Sequence, residues 1–134
     1  MSTLQFTMPS KVEAIEPIMQ AIGPVISESL PPDEDAQVDL ALREALANAI
    51  IHGNREDSRK KVRVFCSARR GTVDLMVRDE GPGFDPSHVA DPRKGEGLLS
   101  GHGRGVYLMR AMMDHVKYGK NGREVYMRKT APGS

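Results

Sequence analysis

The sequence predicts an α+β domain, a two-layer sandwich in which a mostly antiparallel sheet carries helices on one face. Three observations point there. Apolar and polar residues alternate over 61–66 and 72–77, with a short turn between them. Apolar residues recur at helical spacing in the windows beginning at Val38 and at Val106. Between the hairpin and the later helix lies a glycine-rich stretch with no periodicity at all.

The elements follow in order. Leu4-Gln5-Phe6-Thr7-Met8 alternates and stops at Pro9, a first strand. Ser10-Lys11-Val12-Glu13 has the form of a capping box opening a helix. Val12, Ile15, Met19, Ile22 and Ile26 carry that helix, and Pro17 and Pro24 predict a kink or break in it. Pro31-Pro32-Asp33 punctuates, and a second helix is expected over about 35–51, with Gly53 near its end. Residues 54–61 are polar and read as a loop. The hairpin turns at Arg69-Arg70-Gly71, and Asp79 closes its second strand. Val106, Met109, Met112, Met113 and Val116 restore helical spacing, residues 114–118 offer a further strand, and Glu124-Val125-Tyr126-Met127-Arg128 is the last.

At 134 residues the chain fits one domain, expected to span 1–134, with enough length for a core that needs no disulfide. Lys+Arg is 19 against 18 Asp+Glu, which argues against a protein held on nucleic acid by charge alone. Cys66 is a lone cysteine, and no helical pair of histidines has metal-ligand spacing. There is no signal-peptide pattern at the start and no apolar run of membrane-spanning length. A cytoplasmic protein is the expectation, without direct nucleic-acid or membrane partners.

Three groups of residues can carry chemistry. Glu44, Asn48 and His52 stand at i, i+4 and i+8, along one side of the second helix. An amide oxygen suits Mg²⁺, and a nearby carboxylate can take a proton from a hydroxyl. The same spacing also describes a solvated helix edge, although Asn is a poor helix-interior residue. In the second group, Asp79-Glu80-Gly81-Pro82-Gly83, a strand ends in a carboxylate able to accept from an exocyclic amine, and glycines permit close backbone approach. A plain turn has the same composition. The third, Ser100-Gly101-His102-Gly103-Arg104-Gly105, leads into the helix at Val106, where free N–H groups and Arg104 can face an anion. A flexible linker reads the same way. Neither a lysine-terminated phosphate loop nor a dinucleotide-type Gly-x-Gly-x-x-Gly is present.

Taken together and in this order, the groups resemble the N, G1 and G2 boxes of the GHKL ATPase/kinase superfamily. Glu44-x-x-x-Asn48, Asp79-x-Gly81-x-Gly83 and Gly103-x-Gly105 are the matching residues. Within it the chain is most similar to anti-sigma-factor serine/threonine kinases of the RsbW/SpoIIAB type. The resemblance implies a Bergerat-type fold, a mixed, mostly antiparallel sheet covered on one face by helices. It implies ATP and Mg²⁺ as cofactors. Glu44 would be the general base, and Asn48 would ligate Mg²⁺. Asp79 would bind adenine, with Gly81 and Gly83 shaping the base pocket. His52, Gly101, Gly103, Arg104, Gly105 and Val106 would complete the nucleotide site. A flexible ATP lid is expected at about 85–105 and a disordered tail at about 130–134. The implied partners are a sigma factor and an anti-anti-sigma protein of the STAS type, and the implied assembly is a homodimer. In His102-Gly103-Arg104-Gly105 a bulky cation stands between the lid glycines, where smaller or apolar residues are frequent. Two other functions fit the same residues: a non-catalytic, nucleotide-dependent binding module, and the ATPase domain of a histidine kinase acting in trans.

Overall fold

The computed structural model describes residues 1–82 and 101–133, and for 101–105 the backbone alone. Five strands form one sheet, in the order β1-β2-β3-β5-β4. They are β1 (Ser2–Pro9), β2 (Lys61–Arg69), β3 (Thr72–Arg78), β4 (His115–Gly119) and β5 (Glu124–Thr130). All four pairings between these strands are antiparallel, so the mostly antiparallel sheet contains no parallel pair among the described residues. Among the described residues three helices cover one face: α1 (Ile15–Ser29), α2 (Pro32–Ala47) and α3 (Gly101–Met112). None among the described residues is long and apolar enough to cross a membrane.

The expected break in α1 does not occur; the helix is continuous through both prolines. Pro17 lies in the first turn, where an amide has no helical partner to lose. Pro24 is interior but exposed, and Gly23 before it has no Cβ to meet the proline ring. Gln20, whose carbonyl loses its helical partner, is exposed to water. The capping box is not formed either. A short 3-10 turn, Val12–Ala14, leads into α1 from Lys11, with no side-chain cap. Ser10 is fully buried and its Oγ donates to the Lys60 carbonyl at 2.7 Å, toward the sheet rather than the helix.

α2 starts at Pro32, earlier than the periodicity implies. Pro31 is the extended N-cap, and Asp33, Glu34 and Asp35 fill the first turn, where carboxylates suit the free amides. Its buried residues, Val38, Ala41, Leu42, Ala45 and Leu46, form one stripe between the sheet and the flanking helices α1 and α3. From the sheet, Val64, Cys66, Leu75, Val77, Val125 and Met127 fill the same core. Alternation along each strand sends one set of side chains inward and the other outward. Burial pushes the Cys66 thiol up to about 11, which leaves it an inert core residue.

The β2–β3 hairpin reverses at Arg70-Gly71, and Gly71 takes φ 86°, the left-handed value that favours glycine. α3 begins at Gly101, five residues before the apolar spacing resumes, so the glycines of its first turns are helical. At its other end Lys129, nearly buried, donates from Nζ to the Met112 carbonyl at 2.7 Å, a cation on a helix C-terminus. The expected lid lies largely on 83–100, outside the described residues. At the chain end, Thr130 completes β5, and Ala131 donates its N–H to Gly71 at 2.8 Å.

Candidate functional site

Helix α2 does not simply stop. At Asn48 it widens into a π-helical turn, Asn48–Gly53. The Asn54 N–H bonds to the Ala49 carbonyl at 2.8 Å, five residues back instead of four. The extra residue per turn swings the end of the helix, and Asn48 and His52 both reach the wall of a cavity of about 470 Å³. Asp79, at the end of β3, and Met109 of α3 line it too, with Tyr118 and Arg123 from the β4–β5 side. The Tyr118 hydroxyl is raised to about 12 by burial, against the opposing pull of Arg110.

Asp79 is a buried carboxylate in this wall. Only 9% of it is exposed. Its Oδ1 accepts from the Gly81 N–H at 2.8 Å, and its own N–H donates to the Arg123 carbonyl at 2.9 Å. Burial holds the Asp79 carboxyl above the ordinary carboxylate range; the Gly81 N–H, then the charges of Arg123 and Lys60, pull the other way.

Two glycines make this arrangement possible. A Cβ on Gly53 would sit 2.4 Å from the Asp79 carboxyl carbon, and one on Gly81 would sit 1.9 Å from the Gly53 carbonyl oxygen. The end of the π-turn and the turn after β3 therefore interlock at a distance that only glycine allows. Asn54 holds them there. It is 1% exposed, and its Nδ2 donates to Ser10 Oγ at 2.7 Å and to the Lys61 carbonyl at 2.9 Å, while its Oδ1 accepts the Glu80 N–H at 2.7 Å. Arg55 and Glu56 follow with φ of 52° and 57°, a left-handed pair that ordinary residues adopt only when their surroundings impose it. Replacing Asn54 by Ala removes the amide that joins the buried Ser10 hydroxyl to the part-buried Lys61 carbonyl and Glu80 N–H, and a loss of about 2 kcal/mol of stability is expected. Urea unfolding of the variant measures it; a loss below about 1 kcal/mol would mean that water replaces the amide.

Two buried polar atoms of cavity-lining residues have no hydrogen-bond partner among the described residues: Asn48 Nδ2 and Arg123 Nε. Amide nitrogen and oxygen exchange places on a half-turn of the side chain, so Asn48 can present either to a ligand. Unpaired buried polar groups are costly, and a ligand with matching groups removes that cost. The volume lies within the range of small-molecule sites, and Met109, Val77 and Val125 supply an apolar lining beside the Asp79 carboxylate. That combination fits a flat heteroaromatic base with an amine on its edge. Among the described residues no three His, Cys, Asp or Glu side chains converge as a metal cage. A hard cation there would take Asn48 together with ligand oxygens and water, which is how Mg²⁺ is commonly bound.

The other residues singled out from the sequence are placed as follows. Glu44 stands one turn before Asn48 on α2, partly buried and outside the cavity wall. Gly81 is buried beneath Asp79. Gly83 lies outside the described residues. Gly101, Gly103, Arg104 and Gly105 form the first turns of α3, the Arg104 side chain being outside the described part. Val106 is 3% exposed and belongs to the hydrophobic core rather than to the wall. Sequence reasoning missed Asn54 and Arg123. Asn54 reads as an ordinary residue after a helix-ending glycine, and Arg123 joins the cavity only because β5 pairs with β3.

The sequence profile described as the histidine kinase-like ATPase domain matches residues 8–129. Serine-protein kinase RsbW of Bacillus subtilis is 32% identical over 97 residues, which cover 63% of this chain and 57% of that protein. The match with RsbW of Bacillus velezensis covers 59% of that protein, so the chain spans less than two thirds of the length of these relatives. Anti-sigma F factor of Geobacillus stearothermophilus is 35% identical over 104 residues, 72% of this chain and 70% of that protein. Anti-sigma F factor of Oceanobacillus iheyensis is 28% identical over 138 residues, 95% of this chain and 90% of that protein.

Proposed function

This chain belongs to the histidine kinase-like ATPase domain family, beside the RsbW and anti-sigma F proteins, and we propose that it is an ATP-dependent serine/threonine protein kinase that acts as an anti-sigma factor. Its phosphoacceptor in this reading is an anti-anti-sigma protein of the STAS type, its sequestered partner is a sigma factor, and the working unit is a homodimer. The observation that supports the reading best is one cavity lined by both the buried Asp79 carboxylate and Asn48, whose amide nitrogen has no partner among the described residues. The names of the relatives supply the kinase and anti-sigma roles.

Bound ATP with Mg²⁺ supplies the γ-phosphoryl group and the charge neutralisation that its transfer needs. The chain's own residues do the rest. Asp79 accepts the adenine amine, and Gly53 and Gly81 keep that carboxylate fixed from below. Asn48 offers its amide oxygen to Mg²⁺. Gly101 and Gly103 offer free backbone amides at the start of α3 for the phosphates, and Arg104 and Gly105 follow in the same first turns. His52 borders the same cavity. Glu44, outside the base pocket and one helical turn from Asn48, takes the proton of the attacking hydroxyl.

Incubation with labelled ATP, Mg²⁺ and a STAS-domain protein tests the reading. Acid-stable phosphate on a serine or threonine of the acceptor is the expected product. Acid-labile phosphate would assign the chain to histidine-kinase chemistry, and nucleotide-dependent binding without transfer would make it a binding module.

A further inference from the structure

We propose that Arg123 reads the nucleotide base beside Asp79: its guanidinium donates to a ring nitrogen of the adenine whose exocyclic amine donates to Asp79. The inference rests on the ATP reading above and adds to it a specificity-determining residue.

Four observations carry it. Arg123 and Asp79 line the same cavity. They are fixed to each other through the backbone, since the Asp79 N–H donates to the Arg123 carbonyl at 2.9 Å. Arg123 Nε is buried with no hydrogen-bond partner among the described residues, a donor that the fold alone leaves unsatisfied. The chain also reverses just before Arg123 through three left-handed residues, Lys120, Asn121 and Gly122, at φ 53°, 57° and 86°. Two of these are not glycine, so the fold maintains an unfavourable turn at the point where Arg123 enters the wall. Two neighbouring arginines of the sheet are committed to carboxylates: Arg78 pairs with Glu124 at 2.6 Å and Arg128 with Asp74 at 2.6 Å. Among the described residues Arg123 forms no ion pair, so no carboxylate holds its guanidinium away from the cavity that it lines with Asp79.

The chemistry selects the base. Adenine presents an amine flanked by ring-nitrogen acceptors, a donor next to an acceptor. Carboxylate and guanidinium side by side form the complementary acceptor and donor. A guanine turned the same way sets its carbonyl oxygen against the Asp79 carboxylate, so the pair also discriminates between purines.

Calorimetric titration of the wild-type chain and of Arg123→Met with ATP, 1-deaza-ATP and 7-deaza-ATP tests the proposal. The wild type is expected to bind one of the two analogues about tenfold more weakly than ATP, the size of one charge-assisted hydrogen bond. Arg123→Met should bind ATP about tenfold more weakly than the wild type and bind that same analogue no worse than ATP. Equal binding of all three nucleotides by the wild type overturns the proposal, as does discrimination that survives in Arg123→Met. A wild type that binds no ATP overturns the nucleotide reading itself, which separates the two failures. If Arg123→Met does not fold, Arg123→Leu takes its place in the same series, and the same two outcomes decide.

Discussion

Replacing Glu44 by Gln is expected to slow phosphoryl transfer by about 10³-fold while leaving ATP affinity within about threefold, the pattern of a lost general base. The two side chains have nearly the same volume and similar helix propensity, so α2 is undisturbed. The amide cannot take up the hydroxyl proton. Glu44 lies outside the wall of the base cavity, and its bond to Asn48 runs through its backbone carbonyl, which the substitution leaves in place. Single-turnover transfer together with calorimetric titration separates the outcomes. Undiminished transfer removes Glu44 from the chemistry, and a large loss of ATP affinity makes it a binding residue instead.

Asp79→Asn is expected to weaken ATP binding by at least about 100-fold, since a donor replaces an acceptor opposite the base amine. The fold should not suffer. Asn keeps an oxygen for the Gly81 N–H. The sign of the charge effect also favours the variant. Burial raises the folded-state carboxyl above its ordinary 3.8, so the native chain holds the proton more tightly than the unfolded chain does. That contribution to stability is lost as pH rises from about 3.8 through the raised folded value, and at neutral pH the buried carboxylate opposes folding. Asn carries no charge at any pH and removes the opposition. Melting curves at pH 7 should therefore place the variant at or above the wild type. A variant that melts lower while losing ATP would show that the carboxylate is structural.

The layers of the fold were legible because their signals are local. Period-two alternation marks β2 and β3, the Val38 stripe marks α2, and each survives tertiary packing. Proline signals misled in α1, because their consequence depends on position. One falls in a first turn and the other faces water beside a glycine, and neither fact is a matter of composition. Ser10 misled for a similar reason: a hydroxyl suited to a helix cap is drawn instead into the buried network of Asn54 and Lys60.

The candidate site divides in the same way. Asn48, His52 and Asp79 were legible as polar or acidic residues in unusual places, a helix interior and a strand end, and the structure brings the three to one cavity. The π-turn was not legible. Its extra residue changes which side chains share a face, and no propensity announces it. The role of Gly53 was likewise hidden. As a helix end it needs no explanation; its closeness to Asp79 exists only because β3 ends against that helix. Arg123 lies far along the chain from Asp79, and strand order alone makes them neighbours.

The central claim is that this cavity is a nucleotide site in which Asn48 serves Mg²⁺. Calorimetric titration with ATP, with and without Mg²⁺, on the wild type and on Asn48→Ala, tests it most directly. The account predicts saturable binding to the wild type that Mg²⁺ strengthens, and binding to Asn48→Ala that Mg²⁺ no longer strengthens. A wild-type chain that melts cooperatively yet binds no ATP in either condition would contradict it.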